Sequence, residues 1–242
     1  MDTITCGEHL TQLTRRTLLF PINCYLVREE DDLTLVDTGL AGSAPAILEA
    51  ARTLRAPIRR IVLTHVHMDH AGSLDALHAA LPEAEVIVST REARLLARDF
   101  SLDANEPQVK VRGGFPVCAT RPTRTVAPGE RIGSLEVIAA PGHTPGQVAF
   151  LDIRNRNLIA GDAISTHFGI AVAGISKMLF PFVAMGTWDK PTALRTAQAL
   201  RALDPARLAV GHGPVLEQPA AAMDAAITEA TRRFGGRASR AA

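Results

Sequence analysis

The chain has 242 residues, 47% hydrophobic and 21% charged, with a net charge of +1. That is enough apolar material for a substantial core, and too even a charge balance for electrostatic capture of nucleic acid. Three cysteines, Cys6, Cys24 and Cys118, share no short spacing, which argues against a disulfide framework or a Cys-type zinc site and for free thiols in a reducing compartment.

The first residues, Met1 to Glu8, hold no basic region followed by an apolar stretch, so a cytoplasmic protein without a secretory signal is expected. Ile22–Val27 and Leu33–Val36 are β-branched runs around the polar turn Glu29-Glu30-Asp31-Asp32, which predicts a hairpin. Asp37-Thr38-Gly39 ends its second strand. A helix is predicted over Ser43–Arg55, with Ser43 as its cap, Pro45 near its start and Ile47, Leu48, Ala51 and Leu54 on one face. Arg60–Leu63 reads as a strand, Ser73–Ala80 as a helix, Val86–Val88 as a strand and Arg91–Arg98 as a helix. Asp99–Pro122 has weak periodicity and carries Pro107, Gly113, Gly114 and Pro116, so a long functional loop is predicted. Strands follow at Thr123–Val126, Leu135–Ala140, Gln147–Asp152 and Asn157–Ala160. A helix then runs from Pro191 to Leu203, a strand over Leu208–Val210, and a last helix over Pro219–Arg233, with Gly235–Ala242 as a frayed tail. Between Phe168 and Gly186 only Lys177 is charged. With Pro181 and the nearby Asp162, that segment is read as a pocket wall, a lid or a contact for a second copy rather than a membrane span. Residues 1–242 are taken as one domain.

The chemistry concentrates in His65-Val66-His67-Met68-Asp69-His70, which packs three imidazoles and a carboxylate behind the strand Arg60–Leu63. His143 sits in Pro141-Gly142-His143-Thr144-Pro145-Gly146, Asp162 in Ala160-Gly161-Asp162-Ala163, and His212 in Val210-Gly211-His212-Gly213-Pro214. Neutral imidazole and carboxylate suit borderline divalent ions such as zinc, and also iron, manganese or cobalt. A single histidine is more often a hydrogen-bonded core residue than a ligand. It is the joint pattern that points to metal, with enough donors for two ions. His65 and His67, two apart, can chelate one ion from extended chain, while Asp69 and His70 point elsewhere. His9 and His78 lie outside the pattern and are read as surface residues. The only tyrosine, Tyr25, is assigned a structural role.

From Asp37-Thr38-Gly39 through the hexapeptide to Gly211-His212-Gly213, the order of motifs resembles the metallo-β-lactamase superfamily over most of residues 20 to 215. The resemblance implies an α/β fold, a four-layer αβ/βα sandwich with a metal centre at one edge. It also implies His65, His67 and His143 at one metal, Asp69, His70 and His212 at the second, Asp162 bridging, and Asp37 supporting the ligands from behind. Asp37 as a plain turn residue is the alternative. The implied activity is hydrolysis of a small carbonyl substrate by a hydroxide shared between two ions, with Asp69 orienting it as the catalytic carboxylate.

Small lactonases fit the chain's length and complete ligand set, although the acyl-homoserine lactonases place a Tyr after the bridging Asp where this chain has Ala163-Ile164-Ser165-Thr166-His167-Phe168. Glyoxalase II-like thioesterases share the ligands but add a helical substrate domain. β-Lactam-hydrolysing members generally lack the bridging Asp. A mono-iron persulfide dioxygenase and a metal-stabilised binding protein without turnover are the rivals from other classes. Specificity is sought after Asp162. Thr166 and His167 are candidates for stabilising oxygen, and Phe168, Phe180, Phe182 and Trp188 for an apolar wall against a small-molecule substrate. The same aromatics could equally be core packing or the contact of a homodimer.

Overall fold

Side chains alternate across every strand, and that alternation sets the layers. A computed structural model describes residues 1–18 and 20–238. The first sheet holds seven strands in chain order: β1 (Asp2–Cys6), β2 (Leu10–Arg16), β3 (Pro21–Arg28), β4 (Leu33–Val36), β5 (Ile58–Val62), β6 (Glu85–Ser89) and β7 (Arg124–Val126). The chain runs antiparallel from β1 to β4 and parallel from β4 to β7. Parallel neighbours need crossovers. Those are supplied by α1 (Ala44–Thr53), by the short α2 (Met68–Ala71) with α3 (Leu74–Ala80), and by α4 (Thr90–Leu96).

The second half contributes β8 (Arg131–Ile132), β9 (Leu135–Ala139), β10 (Val148–Asp152), β11 (Asn157–Ile159), β12 (Ile164–Ser165), β13 (Ala171–Val172), β14 (Arg207–Ala209) and β15 (Leu216–Glu217). Six of these form a sheet in the order β15-β14-β11-β10-β9-β8, and β12 pairs with β13 alone. Three helices complete the chain: α5 (Phe182–Gly186), α6 (Lys190–Ala202) and α7 (Ala220–Ala238). Tyr25 and Val27 of β3 meet Val148 and Phe150 of β10 in the core between the sheets. The alternate residues Cys24 and Leu26 pack outward with Ile47 of α1 and Leu77 of α3, and Ala149 and Leu151 pack with Leu200 of α6 and Met223 of α7. The result is the αβ/βα four-layer sandwich.

The hairpin β1–β2 extends the first sheet beyond the strands expected from sequence. Ser43 stands at the start of α1 but forms no capping bond, and its hydroxyl instead accepts from Arg15. The tail expected to fray is helical as far as Ala238, and 239–242 lie outside the described residues. His9 and His78 are half-buried rather than fully at the surface. Residues 97–123 form the long irregular loop. The apolar segment after Asp162 breaks into β13, a tight turn and α5. No helix among the described residues is long and apolar enough to cross a membrane.

Tyr25 ties the two sheets together. Its hydroxyl donates to the Val210 carbonyl at 2.6 Å and accepts from the Val210 amide at 2.9 Å, both buried. Tyr25→Phe leaves both groups without that partner, at a cost of about 1–3 kcal/mol. Thermal denaturation should show Tm lower by roughly 3–10 °C, and an unchanged Tm would show that the sheets do not depend on this link.

Candidate metal centre

Each candidate ligand follows a strand end on the same edge of the sandwich. The hexapeptide follows β5, His143 lies between β9 and β10, Asp162 follows β11, and His212 follows β14. Within the hexapeptide the split arises from a change of backbone. His67 is still extended (φ −66°, ψ 156°), and α2 begins at the next residue, so Asp69 and His70 leave the extended path that carries His65 and His67. Two groups result, His65–His67–His143 and Asp69–His70–Asp162–His212, with the facing atoms in each group within 4.8 Å of one another. Gly211 permits a close approach, since a Cβ there would collide with the Asp162 carboxylate and lie 2.6 Å from His70 Cε1.

The second nitrogen of every imidazole is fixed by an acceptor. His70 Nδ1 donates to Asp37 (2.8 Å), His212 Nδ1 to the Pro21 carbonyl (2.8 Å) and His67 Nε2 to the Arg112 carbonyl (2.9 Å). Thr187 Oγ1 spends its proton on the Val183 carbonyl, so it accepts from His143 Nδ1 at 3.1 Å. Thr64 Oγ1 spends its proton on Asp37, so it accepts from His65 Nδ1, also at 3.1 Å. The ring protons therefore lie on the outside, and His65 Nε2, His67 Nδ1, His70 Nε2, His143 Nε2 and His212 Nε2 face inward. His67 Nδ1 and His143 Nε2 stand only 2.9 Å apart, an opposition of lone pairs that a cation relieves. His65 Nε2 is buried with no hydrogen-bond partner among the described residues, and His70 Nε2 and Asp162 Oδ1, also buried, face each other at 3.4 Å without a hydrogen bond of good geometry. Buried polar atoms without partners are rare enough to need a reason. These residues are positioned to bind metal.

Asp37 is buried and serves both groups. One carboxylate oxygen accepts the Thr64 amide at 2.7 Å, and the other accepts the Thr64 hydroxyl behind His65 together with His70 Nδ1. Those bonds hold Asp37 at φ +62°, a left-handed conformation that Asp tolerates better than most residues. Asp37 is thus more than a plain turn residue, since its carboxylate reaches His70 directly and His65 through Thr64.

Electrostatics separate the groups. Burial dominates around His65, His67 and His143 and holds all three below their ordinary pKa, His143 down to about 3. In the other group burial also opposes charge, but Asp162 and Asp69 overcome it, lifting His212 to about 10 and His70 well above its usual value. Burial pushes Asp69 and Asp162 upward too, yet His70 and His212 hold both below the carboxylate range. A cation held by this second group would have to displace protons from His70 and His212, whereas the first group offers imidazoles that are already neutral.

A cavity of about 390 Å³ opens over the ligands. His67, Asp69, His143, Asp162 and His212 share its lining with Phe20, Leu40, Met68, Phe182, Val183 and Met185, and with Gly113 and Gly114 of the long loop. Of the six substrate candidates taken from the sequence, Phe182 lines this cavity. Phe180 lies behind it, packed on Phe20, Phe182 and His212. His167 stacks between Phe168 and Phe180, and the Phe168 side chain is exposed to solvent. Thr166 commits its hydroxyl to the Pro214 carbonyl at 2.7 Å, which removes it as an oxygen-stabilising donor. Trp188 is buried in the outer core and donates to the Val109 carbonyl, away from the cavity. Phe20, Leu40, Met68 and Val183 were missed. Phe20 precedes β3 by a single residue, and only its packing on His212 and Phe182 shows where it points.

This fold and ligand edge define a metal-binding αβ/βα protein. The chain belongs to the metallo-β-lactamase superfamily, whose family model matches residues 17–212. It is 47% identical to the uncharacterized protein YobT of Bacillus subtilis (strain 168), over 95% of this chain and 99% of that one. It is 31% identical to the acyl-coenzyme A thioesterase MBLAC2 of Gallus gallus, over 59% of this chain and 57% of that one. The fold superimposes on the DIM-1 metallo-beta-lactamase with a TM-score of 0.73 at 18% identity, covering 96% and 97% of the two chains.

Proposed function

We propose that the protein is a hydrolase that holds two divalent ions, zinc ahead of iron, manganese or cobalt, and cleaves a lactone, ester or thioester bearing an apolar group. The observation that carries this reading is the floor of inward-facing donors under a cavity whose remaining walls are apolar. When bound, the ions supply Lewis acidity for a carbonyl oxygen and a water acidified toward neutrality. The protein's own groups do the rest. Phe20, Leu40, Phe182 and Met185 shed water from the substrate's apolar arm. Asp69, the least buried ligand and part of the cavity lining, holds an ionised carboxylate within 3.3 Å of His212 Nε2, placed to orient a water and carry its proton.

A thioester is favoured by the resemblance to an acyl-coenzyme A thioesterase. β-Lactams are disfavoured by the cavity chemistry, because no Lys or Arg lines it among the described residues to meet a substrate carboxylate. Metal analysis joined to a hydrolysis panel tests the proposal. Two zinc-like ions per chain with turnover of thioesters or lactones supports it. One iron with oxygen uptake on a persulfide marks a dioxygenase, and metal without turnover marks a binding protein.

The walls make a second prediction. Phe182 and Phe20 pack with ring centroids 4.9 Å apart over the ligands, and a buried Phe-sized contact contributes about 1.5–3 kcal/mol. Phe182→Ala should raise KM for octanoyl thioesters about tenfold and leave acetyl thioesters within about twofold. An equal rise for both chain lengths would remove Phe182 from substrate recognition.

A further inference from the structure

One buried carboxylate outside the ligand set joins the loops that carry the first group of histidines. Glu92 is fully buried in the first turn of α4. Ser89 caps that helix by accepting from the Glu92 amide. Ser-x-x-Glu at a helix start ordinarily forms a capping box, in which the Glu turns back to the Ser amide. Here the carboxylate is committed elsewhere. Glu92 Oε2 accepts the Val66 amide at 2.9 Å, between His65 and His67. Oε1 accepts the Thr144 hydroxyl at 2.6 Å, directly after His143, and the Gly146 amide at 3.0 Å. All three partners donate, so both oxygens must act as acceptors. Ser89 adds a fourth link by donating to the Gly146 carbonyl at 2.7 Å. Gly146 itself packs so closely on α4 that a Cβ there would lie 2.6 Å from the Glu92 amide.

The two supports divide the centre unevenly. Asp37 reaches His70 directly and His65 through Thr64. Glu92 has no side-chain hydrogen bond to Asp69, His70, Asp162 or His212. Its three bonds fall on the segment between His65 and His67 and on the segment just after His143.

We propose that Glu92 is a positioning residue for the three-histidine metal site, clamping the His65–His67 and His143 loops at the separation one ion needs. This rests on reading His65, His67 and His143 as a metal site. In Glu92→Gln an amide NH₂ replaces one acceptor oxygen and faces a donor, so one arm of the clamp opens while the volume stays the same. Thr144→Val removes only the 2.6 Å bond. The test is stepwise zinc and cobalt affinity by chelator competition, with cobalt absorption reporting which site fills, alongside Tm of the metal-free chains.

Glu92→Gln is expected to weaken the three-histidine step by about 10–100-fold, the usual effect of losing a ligand-supporting partner, with the carboxylate-containing step within about threefold. Thr144→Val should reproduce part of that loss, and the double variant should lose less than the two single losses multiplied together, because both act through one clamp. Equal weakening of both steps, or unchanged steps with a lowered Tm, would reduce Glu92 to a structural residue. If Glu92→Gln fails to fold, Thr144→Val decides on the same criterion. A wild-type chain that binds no zinc or cobalt would overturn the metal reading itself, whereas two clean steps indifferent to both substitutions would overturn the role of Glu92 alone.

Discussion

Asp69→Asn should reduce kcat by about 10²–10⁴-fold at saturating metal, the range expected when a positioned proton-transfer group is lost, while the protein stays folded. The substitution keeps the shape of the side chain. The new amide keeps an oxygen that can still accept from His212 Nε2, now 3.3 Å from the Asp69 carboxylate, so no buried group is stranded. What disappears is an ionised oxygen at the cavity wall, held below the ordinary carboxylate range by His70 and His212 against the push of burial. Loss of one metal ligand also weakens affinity, and raising the metal concentration separates the two roles. If full turnover returns at high metal, Asp69 is a ligand and no more. If kcat stays low once metal content is restored, Asp69 handles the proton. Wild-type kcat in Asp69→Asn at ordinary metal levels would remove Asp69 from the chemistry and with it the hydrolytic reading. His65→Ala is the companion control. It deletes an imidazole from the other group, so its loss of turnover should track loss of metal.

The candidate ligand set was legible in the sequence because its members follow predicted strands and three of them sit beside a small residue that lets the chain turn. His143, Asp162 and His212 all come directly after Gly, and at Gly211 the structure shows why, with His70 and Asp162 filling the space a Cβ would need. The resemblance of the motif order to the metallo-β-lactamase superfamily is what assembled those residues. Apart from Asp37, what fixes the imidazole orientations was hidden. Thr187 and the Arg112 carbonyl each lie more than forty positions from the histidine they hold, and neither residue type advertises that role. Glu92 was obscured for a different reason, since at the third position of a helix it looks like a capping residue. The edge hairpin β1–β2 was overlooked because Thr-Gln-Leu-Thr-Arg-Arg carries no apolar run. It becomes a strand through pairing with β3 along Leu10–Arg16. Counting aromatics after Asp162 located a cluster but not the direction of its members. Phe182 reaches the cavity from α5, whereas Trp188, only six positions later, is carried by the chain's turn toward α6 into the opposite core.

Stripping the metal with a chelator should lower Tm by roughly 15–30 °C, and the gap should widen as pH rises. Each ion held at about a thousand times its Kd adds about 4.1 kcal/mol, and a chain of this size shifts by about 2–4 °C per kcal/mol. The pH dependence follows from the two ligand groups in the metal-free chain. His143 is depressed to about 3, so its neutral ring favours the fold above the ordinary histidine pKa of 6.5, and that stability is lost as pH falls from there toward 3. His212 is raised to about 10, so its ion pairs with Asp162 and Asp69 are fully present below 6.5 and are lost as pH rises toward 10. The stripped chain should therefore be most stable near pH 6.5 and weaken on either side. An ion must displace the proton on His212, a competition that eases by up to about 1.4 kcal/mol per pH unit for one proton. Between pH 6 and 9 the loaded protein should accordingly pull further ahead of the stripped one. Calorimetry of both forms in matched buffers reads this directly. A gap that stays flat or narrows over that range would mean that the Asp69–His70–Asp162–His212 group does not hold an ion.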